Sequence, residues 1–238
     1  MRLMKQIAAL TSTVLIAAGL ATVGVTAQTT AAPTPIGTWF GIARACTTFS
    51  RFSPPPNTIN QDICKDACQG AVCPVTTAPH DEVVMMPQVL PDGIVVATDH
   101  GSLLDGHTTG QGRWVATGKV SLNGKTYDRY QASFLWWQPR SPIDFDPKNP
   151  LSIFGGAVRP RFVMYFDPAN PDIMEGYIQP FYFELTDRFG ITNLQPGTAF
   201  PTPDPLATLP SVCDPTAKGS SPYCTGTFMF VIRRVPVF

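Results

Sequence analysis

Charge is scarce in this sequence. Asp, Glu, Lys and Arg make up 14% of 238 residues, and the 17 basic side chains equal the 17 acidic ones. A chain without net charge has no bulk attraction for nucleic acid or anionic lipid, so nucleic acid is not expected as a partner. Histidine is scarcer still, with His80, His100 and His107 the only three. Metal sites need three or four convergent ligands, and neither H-E-x-x-H nor G-x-S-x-G occurs. No catalytic residue, metal or cofactor is therefore assigned. Convincing helical periodicity is also rare after the N-terminal segment. Low charge does not mean disorder here, because 44% of the residues are apolar, enough to form a core.

What is present begins with an export signal. Arg2 and Lys5 precede an apolar run from Ile7 to Val25, and Val25-Thr26-Ala27 offers small residues for cleavage before Gln28. Charged start, apolar middle and small-residue exit describe residues 1–27 as a signal peptide. The alternative is an uncleaved membrane anchor, since the run approaches bilayer-spanning length. The first cysteine is Cys46, too far downstream for a lipid-anchored lipoprotein. Residues 28–35 read as a polar, Pro-containing disordered linker, and 36–238 as a single domain in a secreted or periplasmic protein. No stable membrane span is expected once the signal is removed.

All six cysteines fall in that domain: Cys46, Cys64, Cys68, Cys73, Cys213 and Cys224. An even number in an oxidising compartment reads as disulfides. Cys213 and Cys224 flank a Pro/Gly/Ser-rich stretch and staple it. Gln61 to Gln69 reads as a short helix capped by Asn60 and ended by Gly70. Within a helix Cys64 and Cys68 lie one turn apart, their Cβ atoms about 5–6 Å from each other. A disulfide requires about 3.5–4.5 Å. The spacing favours Cys68–Cys73 with Cys46–Cys64, and the rival arrangement is Cys46–Cys68 with Cys64–Cys73. Zinc binding by the four clustered cysteines would want paired C-x-x-C knuckles, which are missing.

The 25 prolines and 19 glycines punctuate short apolar segments. Strands are expected at 36–46, 82–90, 94–99, 113–122, 125–137, 157–166, 173–185 and 225–235, with a Cys-rich insertion at 46–80. Pro91-Asp92-Gly93 and Asn123-Gly124 are hairpin turns, because Gly and Asn accept positive φ. Tyr130, Ala132, Phe134 and Trp136 share one face of their strand by simple alternation. Tyr177, Phe181, Phe183 and Leu185 share a side of another, interrupted by Gln179. Trp136 and Trp137 must point to opposite faces. Phe145-Asp146-Pro147-Lys148-Asn149-Pro150 echoes Phe166-Asp167-Pro168-Ala169-Asn170-Pro171. Asp before Pro favours turns there, and too few carboxylates gather for calcium. The fold class is all-β: about eight antiparallel strands, joined mostly in neighbour order, forming a barrel.

Gly37-Thr38-Trp39 resembles the G-x-W element that opens many lipocalin-like (calycin) barrels, and the strand succession is similar to theirs in outline. Barrels of the allene oxide cyclase or dirigent type share that outline. The lipocalin resemblance implies that Trp39 packs across the closed end, below a cavity for a small apolar molecule. The Cys-rich insertion after the first strand and the lack of a clear helix beside the barrel depart from the family. The candidate ligand-binding residues are Trp39, Tyr130, Phe134, Trp136 and His107, since aromatic walls suit an apolar ligand. They equally suit a filled core. The expected role is binding a small or apolar molecule, or acting as an interaction protein. One alternative is an enzyme using the His100/His107 loop with Asp99 or Asp105. Another is an outer-membrane barrel ending at Phe238, which Pro236 and Arg234 disfavour by breaking the lipid-facing pattern.

Overall fold

The computed structural model describes residues 33–47, 60–76, 82–99, 108–139, 154–184, 204–205, 208–216 and 222–236. The expected signal peptide, most of the linker, all three histidines, Asp146 and Leu185 lie outside them.

The described residues form nine strands: β1 Gly37–Ala45, β2 Glu82–Val89, β3 Ile94–Asp99, β4 Gly110–Leu122, β5 Lys125–Pro139, β6 Phe154–Phe166, β7 Ile173–Glu184, β8 Tyr223–Cys224 and β9 Phe228–Arg234. Each pairs antiparallel with its sequence neighbour from β1 to β7, and β9 pairs with both β7 and β1. Eight strands thereby close into an up-and-down barrel. The two-residue β8 pairs Phe181 and Tyr182, farther along the same strand β7. The all-β antiparallel barrel expected from the sequence is the fold observed.

Turn chemistry sets the registers. Asn123 and Gly124 both hold positive φ, 47° and 73°, the pair that a tight hairpin needs. Asp92 (62°) and Gly93 (75°) do the same between β2 and β3. The echo motif at 166–171 is a turn: Asp167 accepts the Ala169 N–H on its carboxylate, and its carbonyl accepts the Asn170 N–H, both at 2.9 Å. A register shift between Ala116 and Gly118 is a β-bulge that moves Val120 and Leu122 to the outer side of the wall.

Alternation fills the interior as expected from the strand faces. Trp39, Ala43 and Ala45 of β1, Ala132, Phe134 and Trp136 of β5, and Phe228, Phe230 and Ile232 of β9 belong to one buried cluster. Trp136 is buried and Trp137 is 36% exposed, the opposite orientations that adjacent strand residues must adopt.

The disulfides are Cys46–Cys64, Cys68–Cys73 and Cys213–Cys224. Cys64 lies within helix α1, Asn60–Ala67, and Cys68 follows it directly. The helix ends where Gln69 and Gly70 take positive φ and the Gly70 N–H donates to the Lys65 carbonyl at 2.7 Å, a helix-terminating turn. One expectation needs correction here, because a helix does pack beside the barrel. Ile63 and Ala67, one turn apart, are buried with Tyr165, Tyr177 and Met229 on the outside of the wall. An eight-residue helix carries too short an apolar stripe to announce that docking in the sequence.

Candidate functional site

Three places could carry function: the barrel interior, the outer side of β5–β6–β7, and the outer side of β9–β1–β2.

At one end of the interior lies Trp39, whose side chain is fully buried. Its indole N–H donates to the Pro35 carbonyl at 2.9 Å, and its ring meets Phe166 edge-on at 6.3 Å. The Arg234 guanidinium lies 4.5 Å from the Trp39 ring, within cation–π range. Arg234 also donates to the carbonyls of Pro171, Thr34 and Ile36, so it joins three chain segments. Gly37 makes room for this, since a Cβ there would sit 2.6 Å from an Arg234 nitrogen.

Above Trp39, Tyr130 meets Trp114 edge-on at 5.6 Å, and the Trp114 indole N–H donates to the Leu90 carbonyl at 2.9 Å. Higher again, Phe162 stacks on Phe230 with ring centroids 4.7 Å apart. Phe134 contacts both Phe162 (5.9 Å) and Trp136 (5.4 Å). Phe134, Phe162 and Phe230 are at most 1% exposed. At this level the rings fill the barrel with each other. Gly176 is required opposite them, because a Cβ there would lie 2.5 Å from the Phe230 ring. Of the five aromatic and histidine candidates, Trp39, Tyr130, Phe134 and Trp136 all face inward, and His107 lies outside the described residues. At the end opposite Trp39, Thr108 and Trp137 exchange hydrogen bonds at 3.0 Å.

The outer side of β5–β6–β7 is covered. Outward Tyr165 and Tyr177 lie under α1, and Tyr165 donates to the Asp66 carboxylate. Burial pushes the Tyr165 hydroxyl well above its usual range and raises that of Tyr177. Gln179, which interrupts the aromatic side of β7, is fully buried. It donates to the Ala67 carbonyl and the Thr227 hydroxyl at 3.0 Å, and accepts from Arg161 at 2.8 Å. Arg161 and Gln131 also donate to carbonyls of Pro210, Ser211 and Pro205, so these three residues lie against the wall. Phe181 is buried there with the Cys213–Cys224 bridge. At the margin Lys125 pairs with Asp167. Burial, opposed by Lys125 and assisted by Asp167, pushes the Glu175 carboxyl up to about 7.

Among the described residues the outer side of β9–β1–β2 is bare. Phe40 (53% exposed), Ile42 (39%), Val84 (37%), Met86 (38%) and Val231 (37%) share it. Ile42 stands in register between Val84 and Val231, and Phe40 beside Arg233. Arg44 and Glu82 form an ion pair at 2.8 Å along one edge. These residues were not singled out from the sequence. The signal was available, because Phe40 and Ile42 alternate with Trp39 and Ala43, and Val83-Val84-Met85-Met86 is apolar on both faces.

Among the described residues no three His, Cys, Asp or Glu side chains gather as metal ligands, and no helix is long and apolar enough to cross a membrane. No protein-family model, curated protein or solved structure matches this chain.

Proposed function

We propose that the chain is an exported, disulfide-locked, lipocalin-like barrel that works as an interaction protein through the outer wall of β9–β1–β2. The observation that carries this reading is the bare apolar strip centred on Ile42, since contiguous exposed apolar residues mark contact surfaces. The interior supports it from the other side, because Phe162 packs directly on Phe230 there. Three disulfides and the N-terminal signal pattern favour a secreted or periplasmic location. The resemblance to lipocalins draws support from Trp39 at one end of the interior. An outer-membrane barrel is disfavoured by polarity, because Arg129, Gln131 and Arg161 lie on the outer wall and aromatics pack the inside.

A second reading keeps a small apolar molecule near Trp136. It is favoured by the position of that ring at the end opposite Trp39. Two measurements on protein exported by cells separate the readings. A photo-reactive residue at position 42 should cross-link to protein, whereas one at exposed position 117 on the hairpin should not. A native mass spectrum should show no removable adduct. A small-molecule adduct together with silence at position 42 would replace the interaction reading with the carrier reading.

A further inference from the structure

We infer that the partner seated on the bare wall is a second copy of this chain, related by a two-fold axis through Ile42; the inference rests on the interaction reading above. The geometry begins with the registers. Ile42 on β1 faces Val84 on β2 and Val231 on β9, and Phe40 faces Arg233, while Arg44 faces Glu82. Outward residues along a strand repeat about every 7 Å, and neighbouring strands lie about 4.8 Å apart. Glu82 is therefore one strand to one side of Ile42 and one step along it. Arg233 is one strand to the other side and one step back. The acid and the base occupy diagonal corners, equidistant from Ile42.

That diagonal is what a symmetric contact between two copies requires. In an isologous interface each patch meets itself, so a charge at one corner must find its opposite at the corner related by the axis. A two-fold lying in the contact plane, through Ile42 and across the diagonal, brings Glu82 of each copy over Arg233 of the other. It sets Ile42 against Ile42 and Phe40 near Val84. The strands then cross at roughly 70°, close to the orthogonal class of sheet packing. Arg233 is exposed, and the Glu82 side chain is 48% exposed while it pairs with Arg44 of its own copy through Oε1, so the cross-copy contact adds Arg233 to an existing Arg44–Glu82 pair. Three strands by three outward rows give a footprint of roughly 300 Å², well below the roughly 800 Å² per partner of tight complexes. A footprint that small makes the association weak and concentration-dependent.

Sedimentation equilibrium decides it, on chain expressed from Met1 through an oxidising export route and purified without detergent. The expected result is a concentration-dependent dimer whose dissociation constant rises at least tenfold with Ile42→Glu. Glu82→Arg and Arg233→Glu, both surface changes that leave the barrel core intact, should each weaken it roughly tenfold, and the doubly exchanged chain should recover most of the loss. A monomer up to about 0.5 mM overturns the proposal, as does a dimer indifferent to Ile42→Glu or a double exchange no better than the singles. Monomer that sediments with phosphatidylcholine vesicles assigns the face to lipid instead. Cross-linking at position 42 to other proteins, with a purely monomeric purified chain, defeats the dimer while leaving the interaction reading standing.

Discussion

The two outer sides of one barrel wall have opposite fates. On β5–β6–β7 the outward Tyr165, Tyr177, Gln179 and Phe181 are all at most 4% exposed, whereas on β9–β1–β2 the outward Phe40 and Ile42 are 53% and 39% exposed. Strand propensity does not distinguish them, since both sides carry aromatic or branched residues. Covalent tethering does. Cys46–Cys64 holds α1 close to the end of β1, and Cys213–Cys224 holds the residue 208–216 segment against β7. On the covered side the buried Gln179 amide is met by Ala67, Thr227 and Arg161, where an unmet partner would cost about 1–3 kcal/mol. The bare side has no such network and no excursion above it among the described residues.

Removing a tether should erase most of the difference between the two sides. The Cys46→Ala/Cys64→Ala chain should lose about 3 kcal/mol of unfolding free energy, the value for a closed loop of this size. Urea denaturation gives the number. Binding of a fluorescent apolar dye should rise as the surface around Tyr165 and Tyr177 becomes accessible. If stability fell by less than about 1 kcal/mol with no added dye binding, α1 would be held by packing alone.

A second test uses Glu175, which stands at the seam: it pairs with Tyr165 of the covered side and Val231 of the bare side. Lys125, Asp167, Tyr127 and Tyr165 surround it. Its folded-state value, up to about 7 from 4.5, means the native state keeps a proton that the unfolded chain has already released. Stability from this group is therefore full below about pH 4.5 and is lost as pH rises through about 7. Allowing for partial solvent screening, the loss is about 2 kcal/mol. Glu175→Gln should flatten that part of the stability profile between pH 5 and pH 8 and leave the acidic limb alone. An unchanged slope would mean that Lys125 already stabilises the charged carboxylate.

Much of the fold was legible because it depends on short-range rules. Asn123-Gly124 and Pro91-Asp92-Gly93 fix turns by backbone sterics. The alternation of Tyr130, Ala132, Phe134 and Trp136 fixes one face, and helix spacing separates Cys64 from Cys68. The site was less legible, because exposure is a tertiary property. Nothing in the alternation of β7 says that Tyr177 and Phe181 will be roofed over. Nothing in that of β1 says that Phe40 and Ile42 will not. Both strands carry apolar residues on two faces, and only the path of the disulfide-bound excursions decides which outer face is buried. His100 and His107 fall outside the described residues, so the enzymatic alternative neither gains nor loses from the strands around them.

The finest test of the comparison applies one substitution to both sides. Ile63 on α1 is fully buried and Ile42 on β1 is 39% exposed. Ile63→Ala removes atoms from a closed apolar cluster and should cost about 3 kcal/mol. Ile42→Ala removes atoms that are partly in water already and should cost about 1 kcal/mol. Intrinsic propensity works against this ordering: alanine favours the helix at position 63 and disfavours the strand at position 42, each by about 0.5 kcal/mol. A difference of more than about 1 kcal/mol in dilute chemical denaturation therefore has to come from burial. At protein concentrations above the dimer dissociation constant the gap should narrow, because Ile42 is then covered too and its removal also weakens association. A gap that stays constant with concentration would leave the bare wall without its second copy, and equal costs at infinite dilution would remove the distinction between the two sides altogether.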